Sequence, residues 1–193
     1  MKPTHFVQKG LWITIWSLFF ISSGLSAQII RDGQLMSLKT EEGTLYFISP
    51  FMVEPLDGKT KCEIDLTWPY KEDTVAEVPA RVMFSIWNRG VPFDDVKSFE
   101  VFQENCYVTA ADSLDQVRIK RQGKKWRTRY EGNLDPKVFV RILRKPEAQR
   151  FRITTTENEV FEFSIGKKES TELLRSGVVV KWETKYELLP CEN

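Results

Sequence analysis

A two-residue rhythm constrains this chain more than any other feature. Cys62-Glu63-Ile64-Asp65-Leu66-Thr67-Trp68 alternates apolar and polar residues without a break. Arg81 to Trp87, Lys137 to Leu143 and Val178 to Tyr186 repeat the theme. Thr44 to Ser49, Ser98 to Gln103 and Tyr107 to Ala110 follow it more loosely. Successive side chains on a strand point to opposite faces, so this period predicts half-buried strands. The segments are also rich in β-branched and aromatic residues, which suit a pleated surface.

Turn chemistry punctuates these runs. Val117–Arg121 and Lys125–Tyr130 flank Gln122-Gly123-Lys124, and Arg150–Thr155 and Val160–Ile165 flank Thr156-Glu157-Asn158-Glu159. Short links carrying Gly or Asn between alternating runs predict two local hairpins. Further turns are expected at Leu56-Asp57-Gly58-Lys59, Asn88-Arg89-Gly90, Gly132-Asn133-Leu134-Asp135-Pro136 and Lys145-Pro146. The expected fold is all-β: an antiparallel β-sandwich, or alternatively a partly open β-barrel, of about nine or ten strands. At most one short helix is expected, near residues 168–176, with Gly177 just beyond its end.

The N-terminus has a different character. Lys2 and Lys9 precede an apolar run from Leu11 to Ile21, followed by Ser22-Ser23-Gly24-Leu25-Ser26-Ala27. A basic start, a short apolar centre and a small-residue exit predict a secretory signal over residues 1–27, cut after Ala27. The polar residues after Ile21 dilute the run, which argues against a retained anchor. No later segment is apolar enough to span a bilayer as a helix. Residues 28–193 then form a single domain, long enough to bury a core.

Export limits the chemistry. The only histidine, His5, leaves with the signal. This excludes Ser–His and Cys–His nucleophiles and His-liganded zinc from the exported chain. Cys62, Cys106 and Cys191 allow one disulfide with a thiol left over, or three buried thiols; their spacing has no CxxC metal or redox pattern. Glycoside hydrolysis needs only two carboxylates, for which Asp94-Asp95 and Glu63 with Asp65 are the candidates. Both sets read better as turn and solvated-face residues. Asp112-Ser113-Leu114-Asp115 lacks the spacing of a calcium loop. No catalytic residue, metal site or cofactor is therefore expected.

Charge is unevenly spread. Residues 117–152 carry 13 basic and 3 acidic residues, whereas residues 28–116 carry 8 basic and 16 acidic. In the first hairpin, alternation puts Arg118 and Lys120 on one face with Arg127 and Arg129, while Arg121, Lys124 and Lys125 cap its tip. Like charges side by side on paired strands repel, and an anion would relieve that repulsion. Two other readings compete: neutralisation by the acidic N-terminal half, and protection of a strand edge from aggregation.

The expected function is that of an exported, non-enzymatic binding module of the bacterial cell envelope. Its partner would be a protein with an acidic surface, an anionic glycan or a lipid head group, and not nucleic acid, from which export separates it. The competing expectations are a carboxylate-dependent glycan-acting enzyme and a structural subunit that assembles by strand pairing.

Overall fold

The computed structural model describes residues 28–32, 34–41, 43–56, 58, 60–71, 78–93 and 95–183, with backbone alone for 28–32 and 178–183. The expected signal, Asp94, Cys191 and residues 184–193 lie outside the described residues. Eleven strands are described: β1 (Gln28–Asp32), β2 (Leu35–Thr40), β3 (Gly43–Pro55), β4 (Lys61–Tyr70), β5 (Ala80–Arg89), β6 (Val96–Gln103), β7 (Cys106–Ala110), β8 (Asp112–Gln122), β9 (Lys125–Leu134), β10 (Gln149–Thr155) and β11 (Val160–Ile165). Two helices accompany them, α1 (Pro136–Arg144) and α2 (Lys167–Glu183), with a short 3-10 turn at Pro146–Ala148.

All eleven strands belong to one antiparallel sheet; nine follow the order β7-β6-β10-β11-β3-β4-β5-β9-β8, and β1 and β2 branch from β3 through the β2–β3 pairing. The sheet curls into a half-barrel; it is not two sheets packed face to face. Antiparallel all-β is the class the alternation implied. The curl is visible in side-chain contacts. Phe84 on β5 stacks on Phe99 on β6 with ring centroids 4.6 Å apart, although four strands separate β5 from β6 in the sheet. Long β3 bends to serve the curl: its pairing with β4 shifts between Ile48 and Phe51, its first half pairs with β2 and its end with β11. Pro50 sits at the shift, where a residue lacking an N–H donor costs the ladder least.

The edges of the sheet are one residue apart in sequence. β7 pairs with β6 up to Ala110, and β8 begins at Asp112 on β9. Ala111 makes the crossing, and its N–H donates to the Phe99 carbonyl at 2.8 Å. The half-barrel is thus stitched at this point.

Lys137–Leu143, expected as a strand, is instead the buried helix α1. Asp135 caps it by accepting from the Lys137 N–H at 2.8 Å, and Pro136 occupies its first turn. Those two residues are a helix-start signal that outweighs the alternation following them. On the helix Val138, Phe139, Val140, Ile142 and Leu143 are all buried. Phe139 packs on Trp68 and Tyr46 inside the half-barrel, with ring centroids 5.4 and 6.2 Å away.

The second helix is also a correction. It runs through Gly177 and takes in Val178–Glu183, which alternation had assigned to a strand. Gly177 is a contact point and not a stop. A Cβ there would lie 2.4 Å from the Leu143 carbonyl, so only glycine lets α2 lie this close to α1. Gly132 and Leu134, expected in a turn, continue β9 instead. Both predicted hairpins are present, with Gly123 (φ +62°) and Asn158 (φ +65°) supplying the left-handed turn residues. Cys62 is a fully buried thiol on β4, and burial pushes its pKa far above the ordinary range. No described helix is long and apolar enough to cross a membrane.

Candidate functional site in the β8–β9 hairpin

The register places the four hairpin cations as alternation predicted. Arg118 lies opposite Arg129, and Lys120 opposite Arg127. Directly opposed residues share a face, and on β9 the other face is the buried one, carrying Thr128 and Tyr130. The four cations therefore stand on the outer face. A two-residue turn, Gly123-Lys124, joins the strands, and Lys124 is exposed at the tip beside Lys125. Arg121 lies opposite Trp126 and so belongs to the other face; its guanidinium sits 5.8 Å from the Trp126 ring centroid.

The two strands differ in what surrounds their charge. β9 lies inside the sheet, flanked by β5 and then β4. Arg129 reaches over β5 to the Asp65 carboxylate on β4 at 2.6 Å, and Arg127 reaches Glu63 at 3.3 Å. Strands are about 4.8 Å apart, so each arginine spans two strand spacings. Arg129 can do so because the residue opposite it on β5 is small: Ser85, opposite both Glu63 and Arg129, is 1% exposed. The Arg127 guanidinium also stacks on Trp87 of β5, 4.9 Å from the ring centroid. Burial pushes the Asp65 carboxyl above its usual range, and the Arg129 charge offsets part of that shift.

β8 is the last strand of the sheet. Every residue in it except Leu114 is exposed. Arg118 and Lys120 have no ion pair among the described residues. Their neighbours on β9 are cations already committed to β4. The acidic N-terminal half therefore neutralises one strand of the hairpin and leaves the other.

Sequence reasoning missed part of this arrangement. Lys61 lies opposite Trp87 and Arg89 opposite Lys125, which brings two more cations to the tip end of the sheet. The Trp126 indole N–H donates to the Gly90 carbonyl at 3.0 Å and ties the hairpin to the turn after β5. These neighbours depend on the strand order β4-β5-β9, which no local pattern encodes.

The remaining candidates are quickly placed. Glu63 and Asp65 stand on the outer face, each in an ion pair, and Asp95 is exposed. Asp112, Ser113 and Asp115 are exposed, and no described group of three His, Cys, Asp or Glu residues is arranged to hold a metal ion. A shallow cleft of about 120 Å³ lies over β6, β10 and β11. Its Arg152 is paired with Glu162 at 2.7 Å and Glu100 at 3.8 Å, and it stacks on Phe102. In comparison with known proteins, the chain matches no protein-family model, no curated protein and no solved structure.

Proposed function

We propose that this chain is an exported, non-enzymatic binding module of the cell envelope whose β8–β9 hairpin engages an anionic ligand or an acidic partner surface. The observation that carries the reading is the exposed group Arg118, Lys120 and Lys124, which has no carboxylate partner among the described residues. Lys125 and Arg89 adjoin it at the same end of the sheet. Uncompensated like charges at this spacing repel, and a bound anion removes the repulsion. Export supports a glycan, a lipid head group or an acidic protein as the partner. The single histidine, within the signal, supports a binding role over catalysis.

The test is retention on an anionic matrix across a salt gradient. Changing Arg118, Lys120, Lys124 and Lys125 to Ser should move elution to distinctly lower salt, because each lost contact reduces the salt dependence. Elution at the same salt as the wild type would remove the hairpin as the anion site. Arg127 and Arg129 are unsuitable for the variant, since their loss strands Glu63 and Asp65.

A further inference from the structure

We infer that β8 pairs along its open edge with β8 of a second copy of this chain, antiparallel, about a two-fold axis between Gln116 and Val117. The inference goes beyond anion binding and rests on a different property of the strand, the order of its charges.

β8 changes sign along its length. Asp112 and Asp115 occupy its first half, and Arg118, Lys120 and Arg121 its second. Its inner neighbour cannot balance either half. Asp115 lies opposite Glu131, Arg118 opposite Arg129, and Lys120 opposite Arg127, so like faces like on each rung where both strands carry a charge. The β9 members of those rungs are satisfied elsewhere: Glu131 by Arg81 on β5, Arg129 by Asp65 and Arg127 by Glu63. Compensation for β8 can come only from its other side. Among the described residues no strand lies there.

The sequence that fits that side is β8 itself, reversed. Antiparallel pairing about the stated axis puts Asp115 of each copy opposite Arg118 of the other, giving two symmetric ion pairs. The faces agree. Pairing with β9 shifts between Gln116 and Arg118, which makes Val117 the extra residue of a bulge. Asp115 and Arg118 therefore both point to the outer face although three residues apart. A two-fold axis perpendicular to the sheet preserves faces, as this pairing requires. On the inner face Leu114 meets Ile119, which is 46% exposed in the single chain, and Val117, 51% exposed, lies at the axis.

Simple edge protection explains less. A strand of one sign repels every copy of itself. A strand that is acidic and then basic repels a parallel copy and attracts an antiparallel one. Such pairing adds a strand on each side and joins the two half-barrels through one continuous sheet. The tip cations Lys124 and Lys125 stay clear of the paired segment.

The experiment is light scattering on the purified protein and four companions: Asp115→Arg, Arg118→Asp, the two singles mixed, and the double variant. The wild type should be a dimer. Each single change sets like charges together twice across the axis and should weaken association by about tenfold or more. An equimolar mixture of the two singles should dimerise again, as should the double variant, because both arrangements restore opposite charges on both rungs. Both positions are exposed, and circular dichroism verifies that each single is folded. A wild type that is monomeric at about 100 μM, where even weak interfaces associate, overturns the proposal. So does a dimer that the single changes leave unmoved or that the mixture does not restore. A variant with only Lys124 and Lys125 changed to Ser leaves Asp115 and Arg118 in place, so its retention on the anionic matrix reads the tip lysines separately and either proposal can fail while the other stands.

Discussion

β8 and β9 are joined by a two-residue turn and carry the same kind of charge, yet they occupy different electrostatic worlds. β9 has sheet on both sides, and its arginines lie over β5 in ion pairs with β4. β8 has sheet on one side only, and there it meets its own sign. The lesson is that sheet position decides whether a basic strand is structural or available. An arginine pattern inside a sheet is completed by the next strands, whereas the same pattern at an edge is left for something outside the chain.

Mutations compared between the two strands can break this contrast. The largest expected difference is in packing. Tyr130 on β9 is 2% exposed and stacks on Phe84 at 5.2 Å, so Tyr130→Ala should cost about 3–5 kcal/mol. Ile119→Ala on exposed β8 should cost under about 1 kcal/mol in the single chain. Denaturant midpoints at constant slope measure both. If β8 is as sensitive as β9, its description as an outlying strand is wrong.

Next comes charge. Arg129→Ser leaves a nearly buried Asp65 without its partner and should cost about 2 kcal/mol at neutral pH. Arg118→Ser, one strand over on the same rung, should change the stability of the single chain by less than about 0.5 kcal/mol. The first effect also depends on pH. A carboxyl whose pKa is raised on folding adds stability below its unfolded pKa and loses it as pH rises through the folded value. Removing Arg129 raises Asp65 further, since its charge is what offsets burial there. The Arg129→Ser deficit should therefore shrink as pH falls through the Asp65 pKa, and the Arg118→Ser difference in the single chain should stay flat. Thermal melts across acid pH would expose a deficit that fails to shrink.

The smallest effect is at the turn that separates the two strands. Gly123 has φ +62° and open space around its Cβ position. Gly123→Ala should cost about 1 kcal/mol from backbone strain alone, and Gly123→Asn less, since asparagine tolerates this conformation. Equal costs for the two would show that contacts, not backbone conformation, decide the position.

The hairpin was legible in the sequence because everything that defines it is local. Alternation, a Gly in the link and a few residues on each side suffice to set Arg118 against Arg129. Misreadings arose where a distant contact or a cap decided the outcome. Val138, Val140 and Ile142 alternate like a strand, but Asp135-Pro136 starts a helix that buries all three with Phe139 and Leu143 and turns only Lys137, Arg141 and Arg144 outward. Gly177 has the composition of a helix stop, yet the Leu143 carbonyl is what requires it. The partners of Arg127 and Arg129 were present in the sequence as Glu63 and Asp65. Assigning them needed the pairing of residues 64 apart in sequence, which a period of two does not carry.

The crossing at Ala111 gives the hairpin a mechanical character. The root of β8 is fixed to β6 by the Ala111–Phe99 hydrogen bond, while its far end at Gly123 projects without cover. β9 holds β8 along its length and is itself paired to β5 as far as Lys125, so a load on the tip passes down the ladder toward the crossing. Whatever grips Lys124 would thus pull on the segment around Ala111, where the two borders of the half-barrel meet.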